Sequence, residues 1–351
     1  MTQLDQSTVA QQVALFNQVF CSSRSEADWL YKHRDNPLST QYNIFGAVNG
    51  GEIIGINGFM PMNFQIEDQA LKAVQSCDSA VNPNYRGQGV FAKIITSAEV
   101  FYRDLHVDFL LGFPNKNSYP VLMKIGWLHL LDMQSIMIPC NIIPMLEMKL
   151  KISLPKEINK LTEIFWRKTY SIANQYNNIK VLVSDISPFS EHEYKQINRS
   201  EKLVFSKSPQ VVKWKLDNNP LHTFKYYIAS KENRLLSFLI VQERVSSKKN
   251  GMRWFRIIDW GLLSDNMNNL ACSYAKMLLI MKNTADLISL WMPTERRHQD
   301  MFKRLGFIKN NKYFPVNQVL IKVLTNDVNR INLLKNKNNW QPKLIEVDTL
   351  L

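Results

Sequence analysis

The sequence predicts an α/β (α+β) chain built as two tandem units of similar design, the second a degenerate copy of the first. Three observations carry this. Segments of period-two hydrophobicity alternate with segments of helical period. Of the 351 residues, 45% are hydrophobic and only 12 are glycine, a core-forming composition that excludes collagen-like and disordered classes. Landmarks of the first half also recur in the second: Asn36-Pro37-Leu38 is echoed by Asn219-Pro220-Leu221, each with a tryptophan upstream (Trp29, Trp214). Pro37 lies 41 residues before Asp78, and Pro220 lies 39 before Asp259. Asp78 precedes Gly126-Trp127 by 48 residues, and Asp259 precedes Gly306-Phe307 by 47. Repeated spacing is the mark of internal duplication. The divisions expected are a first domain over 1–145, a basic linker over 146–185, a second unit over 186–325 and a tail over 326–351.

Within the first domain, apolar residues at Val9, Val13, Phe16 and Val19 predict a helix over Thr8–Phe20, and Glu26–His33 reads as a second. Tyr42–Val48, the Asn49-Gly50-Gly51 turn and Glu52–Ile66 make a hairpin, because glycine tolerates the positive φ of tight turns. A third strand runs from about Ala70 to Val81. A glycine-bearing turn follows, then a helix with Phe91, Ile94, Ile95, Ala98 and Phe101 on its apolar face. Val107–Phe113 is a buried strand, Ser118–Ile125 a short helix and Leu128–Ile138 a strand. The linker carries Ile158, Leu161, Ile164, Phe165 and Ile172 at helical spacing, predicting an amphipathic helix with a solvated basic face. The tail holds Ile331, Leu333, Leu334, Trp340, Leu344 and Ile345, enough apolar side chain to dock on the body.

Lys and Arg number 43 against 30 Asp and Glu, a net charge of +13. Such a balance suits nucleic acid, an anionic surface or small polyanions. Here the charge is spread, without a basic stripe interleaved with aromatics, so nucleic acid is disfavoured. The four cysteines are far apart and the six histidines dispersed, giving no metal site or disulfide framework and suggesting a reducing cytoplasm. The start of the chain does not read as a signal peptide, and the apolar Ile136–Leu146 stretch is short and broken by prolines, so no membrane span is expected.

Chemistry concentrates after the third strand, where Arg86-Gly87-Gln88-Gly89 leads into a helix. Glycines let backbone N–H groups converge on an anion, and the helix N-terminus adds free donors and a favourable dipole. The run Val81-Asn82-Pro83-Asn84-Tyr85-Arg86-Gly87-Gln88-Gly89-Val90-Phe91 resembles the acyl-CoA signature of the GNAT N-acetyltransferase superfamily, (Q/R)-x-x-G-x-(G/A). A second family motif is similar to Asn115, Ser118 and Gly126-Trp127 at matching spacings. Two positions depart: Asn84 stands where the signature has Gln or Arg, and Leu122 where many members carry a tyrosine acid.

The resemblance covers about Ser7–Ile138. It implies a mixed, mostly antiparallel central sheet flanked by helices, acetyl-CoA as acyl donor and no metal. It places the cofactor on Ala80, Val81, Arg86, Gly87, Gln88, Gly89, Val90, Phe91, Asn115 and Ser118, with a backbone N–H of Ala80 or Val81 on the thioester oxygen. Asp78 takes the position of a catalytic base and Tyr119 that of a substitute acid. Asn57, Phe59 and Met60 are candidates for the acceptor pocket. In the second unit the positions matching the two glycines are Asn268 and Leu270, so that copy lacks the loop. Tandem chains of this type are similar to acetyltransferases of bacterial surface-polysaccharide pathways and to the enhanced-intracellular-survival type. The resemblance therefore implies acetyl transfer to a small amine, favouring an amino-sugar nucleotide. Because such an acceptor is an anion, basic residues should face it, and Arg296 and Arg297 are the candidates. Alternatives are a Fem-type aminoacyl ligase using aminoacyl-tRNA, a lysine or aminoglycoside acetyltransferase, and a non-catalytic binding protein.

Overall fold

The structure, a computed structural model, describes residues 1–176, 178–246, 251–263, 266–293, 296–309 and 317–347. The first half runs β1 (Thr2–Gln3), α1 (Val9–Phe20), α2 (Glu26–His33), β2 (Ile44–Asn49), β3 (Glu52–Ile66), β4 (Gln69–Val81), α3 (Val90–Asp104), β5 (Phe109–Gly112), α4 (Ser118–Lys124) and β6 (Leu128–Pro139). After α5 (Ile143–Leu150) and α6 (Glu163–Ala173), the second half begins with β7 (Lys180–Ser184), α7 (Glu191–Asn198), β8 (Val204–Phe205) and α8 (Pro209–Val212). It continues with β9 (Thr223–Lys231), β10 (Arg234–Ser246), β11 (Met252–Leu262), α9 (Met267–Lys282), β12 (Leu287–Pro293), α10 (Arg296–Arg304), β13 (Ile308–Lys309) and β14 (Asn317–Val323), and α11 (Val328–Lys335) follows.

All strands join one sheet in the order β1-β2-β3-β4-β5-β14-β6-β12-β11-β10-β9-β7, with β8 and β13 added beside β3 and β6. Two pairs are parallel, β4 with β5 and β11 with β12, and the rest are antiparallel. The halves exchange their last strands. β14, from the second half, pairs with β5 of the first, while β6, from the first, pairs with β12 of the second. Each half's sheet is thus completed by the other.

Local details recur in the two halves. Leu38 N–H donates to Asn36 Oδ1 at 3.0 Å, and Leu221 N–H donates to Asn219 Oδ1 at 2.9 Å, the same turn in both copies. Tyr31 and Trp214, each six residues before its proline, meet across the join: Trp214 Nε1 donates to Tyr31 O at 3.0 Å, and the Tyr31 hydroxyl donates back to Trp214 O. Gly126 and Gly306 end α4 and α10 with φ of 84° and 89°, a conformation glycine adopts without strain, and turn the buried Trp127 and Phe307 inward.

The tail docks on the body as its apolar residues require. Trp340 packs against Phe64 and Phe109 of the first half, while Lys343 lies over Trp260 of the second. The linker differs from its reading. Leu161 and Ile164 are 65% and 63% exposed, and Trp166, Thr169 and Ala173 are the buried set. Residues 156–162 form a 3-10 helix before α6 begins, and its three-residue turn shifts the phase that a 3.6-residue count assumes. No helix among the described residues is long and apolar enough to cross a membrane.

Candidate active site

β4 and β5 run side by side from Ala73 and Phe109 to Ser76 and Gly112, then part. A β-bulge causes the fork. β3 pairs Ile56 with Ala80 and Gly58 with Cys77, so Asn57 alone faces Asp78 and Ser79. Asn57, fully buried, pins the bulge by accepting from the Ser76 and Ser79 hydroxyls on its Oδ1. Past it, Ala80 and Val81 carry β4 to the Arg86–Gly89 loop.

Gly87 and Gly89 have φ of 78° and 75°, and a Cβ built at either would touch nothing within 4 Å. The backbone conformation, not crowding, demands glycine here, and the space before the loop is open. The backbone amides of residues 87–92 have no backbone acceptor among the described residues; bonding resumes with Lys93 N–H to Gly89 O at 3.0 Å. No side chain caps α3, and the Val90 side chain is buried below while Phe91 packs beside it, so their amides stand at the open end of a 15-residue helix. Arg86, exposed, donates from Nε to Val81 O at 3.2 Å, which holds its charge beside the turn. Gln88 reaches back to Asn84 O at 3.4 Å. Unspent amides, dipole and guanidinium fit the pyrophosphate of an acyl-CoA.

Asn115 and Ser118 form the other wall. Asn115 Oδ1 accepts from the N–H groups of Asn117 and Ser118, and Ser118 Oγ accepts from Asn115 N–H at 3.1 Å. Their polar atoms fix the start of α4 and thereby Tyr119. Its hydroxyl lies 3.1 Å from His129 Nδ1, and His129 Nε2 lies 3.0 Å from Asp132 Oδ1. A carboxylate only accepts, so Nε2 carries a proton, and in the neutral imidazole Nδ1 is then the acceptor for the tyrosine O–H. The strand reading missed this chain. Residues three apart on a strand face opposite ways, but β6 and β14 shift register at Leu320 and leave Leu130 unpaired, bringing His129 and Asp132 together.

Several expectations are corrected. Asp78 is not placed to act as a base: its carboxylate is 2.7 Å from Lys32 Nζ, 2.9 Å from His33 Nε2 and 3.7 Å from an Arg24 nitrogen, and it is 6% exposed. Burial pushes its pKa up, but Lys32, His33 and Arg24 more than reverse this and hold it far below the usual carboxylate range. It is a permanent anion that ties α2 to the bulge. His33, Cys77 and Asp78 bring ligand-type atoms within 4.8 Å of one another, but Lys32 already supplies the positive charge. Phe59 and Met60 are 0% and 2% exposed and belong to the core, and Asn57 lies beneath the fork instead of lining it. Arg296 and Arg297 open α10, but their side chains lie outside the described residues.

The second half repeats the fork without the loop. β11 and β12 pair from Trp254 and Leu287 to Ile257 and Leu290, then part where β11 bulges at Ile258, beside Asp259. Asp259 is held by Lys343 at 2.7 Å and Lys207 at 3.0 Å, the counterpart of the Asp78 cluster. At the start of α9, however, Asn266 Oδ1 accepts from Asn268 and Asn269 N–H, so the donors left open on α3 are spent on a cap. Asn268 and Leu270 lie within that helix.

The first half thus joins a forked mixed sheet to an open glycine turn at a helix N-terminus. Residues 1–130 match the family described as acetyltransferase (GNAT) domain. No curated protein matches the sequence. Among solved structures, the chain is similar to a GCN5-related N-acetyltransferase from Anabaena variabilis, with 13% identity, 92% of this chain and 72% of that one covered, and a TM-score of 0.67. A GCN5-related N-acetyltransferase from Kribbella flavida gives 10%, 92%, 70% and 0.61 in the same order. Eis1 from Mycobacterium abscessus gives 11%, 92%, 72% and 0.54. At such identities the likeness is one of fold, and it spans both halves.

Proposed function

We propose that the chain is an acetyl-CoA-dependent N-acetyltransferase with one active centre, in the first half, acting on a small amine. The observation that carries this is the row of unspent amides at residues 87–92 beside Arg86. Acetyl-CoA, when bound, supplies an activated acetyl thioester. The loop binds the cofactor's phosphates, and a backbone N–H of Ala80 or Val81, beyond the point where β4 and β5 part, is the donor to the thioester oxygen. Tyr119 holds a proton at the mouth of the fork, His129 exchanges it, and Asp132 fixes the imidazole. Because His129 and Asp132 are partly exposed, the chain reaches solvent and needs no buried base.

The acceptor we favour is an anionic amine, an amino-sugar nucleotide, on the strength of the +13 charge. An aminoacyl-tRNA ligase is disfavoured because the open phosphate loop would then have no use. The test is transfer of labelled acetyl to a panel of amino-sugar nucleotides, polyamines, aminoglycosides and peptide lysines. Amino-sugar nucleotides should lead it. Transfer confined to peptide lysines would exclude the sugar reading, and no transfer to any amine would exclude the enzyme.

A further inference from the structure

The second half contains a charged group that its fold leaves without a counterion. Arg256 on β11 is 8% exposed, and its guanidinium lies over two indoles, 5.5 Å from the Trp254 ring centroid and 5.8 Å from that of Trp291. Its one hydrogen bond goes to a neutral amide, Nη1 to Gln242 Oε1 at 3.3 Å. Among the described residues no carboxylate pairs with it: Glu243 is taken by Lys225 at 3.3 Å and Asp286 lies 4.0 Å from Arg253. Burial and the neighbouring Arg244 push its pKa down to about 10, so it remains a cation at neutral pH. Indole faces compensate part of the desolvation but supply no acceptor for the N–H edge, whose one hydrogen bond among the described residues is that to Gln242.

Its surroundings share that deficit. Gln242 is paired with Arg256 across the sheet, and Arg244 with Trp254; Arg256 in turn is paired with Ser289, and Trp291 with Ser135. Paired residues, and residues two apart on a strand, share a face, so all of these stand on one side of the sheet. The Gln242 Nε2 and Ser135 Oγ atoms are buried without a hydrogen-bond partner. Arg244, exposed and outside any ion pair among the described residues, itself lines a surface groove with Pro220, His222, Thr223, Val245 and Glu243, whose carboxylate is neutralised by Lys225. The first half has nothing similar. The residue three before Asp78 is Gln75, set between Met60 and Leu111.

We propose that Arg256 and Arg244, framed by Trp254 and Trp291, form an oxyanion site in the second half that takes the phosphate group of a small molecule. Two guanidiniums with additional neutral donors match a dianion with three acceptor oxygens better than a carboxylate with two. The site lies apart from the residue 87–92 loop and does not depend on it.

The test is calorimetric titration of the full chain with inorganic phosphate, and separately with acetate. The wild-type chain should show saturable phosphate binding below about 10 mM, roughly tenfold tighter than acetate. Arg256→Met should remove this binding while the chain still folds, since an apolar residue of similar reach replaces a buried charge at little cost. Arg244→Gln should weaken it by about threefold to tenfold and flatten its salt dependence. Gly89→Asp should leave it intact, which separates this site from the cofactor loop. If Arg256→Met does not fold, Arg244→Gln and Trp291→Phe carry the test through the same titration. Absence of saturable phosphate binding in the wild-type chain would overturn the proposal, as would binding unchanged by these substitutions.

Discussion

The two helix N-termini that follow the forks, α3 and α9, begin from the same topology and end in opposite states. On α3 a glycine in the left-handed region serves as the cap and offers no side chain, so the first-turn amides remain available. On α9 the Asn266 side chain satisfies them internally. One terminus is prepared for an external anion, the other sealed. The structural parts of the two copies diverged far less: each retains the bulge, the buried carboxylate held by basic side chains, the Asn-Pro-Leu turn and the Gly-aromatic helix end. Both halves have what holds a fork open, and only the first has the means of filling it. Bulge and ion cluster contribute to stability whether or not a ligand binds, so the geometry of a fork does not by itself require the loop.

The largest expected effect follows from the exchanged strands. A fragment ending near Lys180 lacks β14, which pairs with both β5 and β6, and should not fold by itself. Coexpression of 1–180 with 181–351 should restore a soluble complex, read by circular dichroism and gel filtration. A soluble, active 1–180 fragment would show that the halves are more independent than the sheet implies.

Next, Gly87→Asp or Gly89→Asp should abolish CoA binding, because an L side chain is strained at these φ values and a carboxylate would oppose phosphate. Asn266→Ala should leave CoA binding unchanged and cost only about 1 kcal/mol of stability, the value of a helix cap.

Third, Asp78→Asn and Asp259→Asn should each destabilise the chain by about 3–5 kcal/mol, since each leaves buried cations unpaired. Chemical denaturation measures both. Asp78 has a depressed folded pKa, so its contribution is present above the unfolded value near 4 and is lost only as the pH falls below that. The activity profile above pH 5 should therefore keep its shape in Asp78→Asn, whereas loss of the acidic limb would return Asp78 to the role of base.

Tyr119→Phe and His129→Ala should lower kcat by roughly tenfold to a hundredfold with CoA affinity unchanged. Equal losses in both, and no further loss in the double variant, would show that the two act as one unit.

The smallest effect concerns the tail. Glu346 is fully buried beside Lys343, Lys207 and Asp259, and burial raises its pKa to about 8. A raised carboxylate pKa favours folding at low pH and loses that advantage as the pH rises through 8. Glu346→Gln should therefore raise Tm by a few degrees more at pH 9 than at pH 5.

Much of the frame was legible in the sequence. The Arg86-Gly87-Gln88-Gly89 turn, the hairpin at Gly50-Gly51 and the recurrence of Asn-Pro-Leu rest on short-range backbone rules, and each appears where its residues demand. Contacts made across distance were not legible. Nothing in the order of residues shows that Lys32 meets Asp78, that β14 crosses into the first half, or that a bulge turns His129 toward Asp132. Asp78 suggests a base from sequence because its position on the strand is visible there and its three partners, 45 to 54 residues upstream, are not.

Open amides at residues 87–92 and capped amides on α9 require that the cofactor bind once, in the first half. Calorimetric titration of the full chain with acetyl-CoA measures this directly. One molecule should bind per chain, and none to Gly89→Asp. A stoichiometry of two, or affinity that survives Gly89→Asp and disappears when α9 is altered at Asn268, would contradict it.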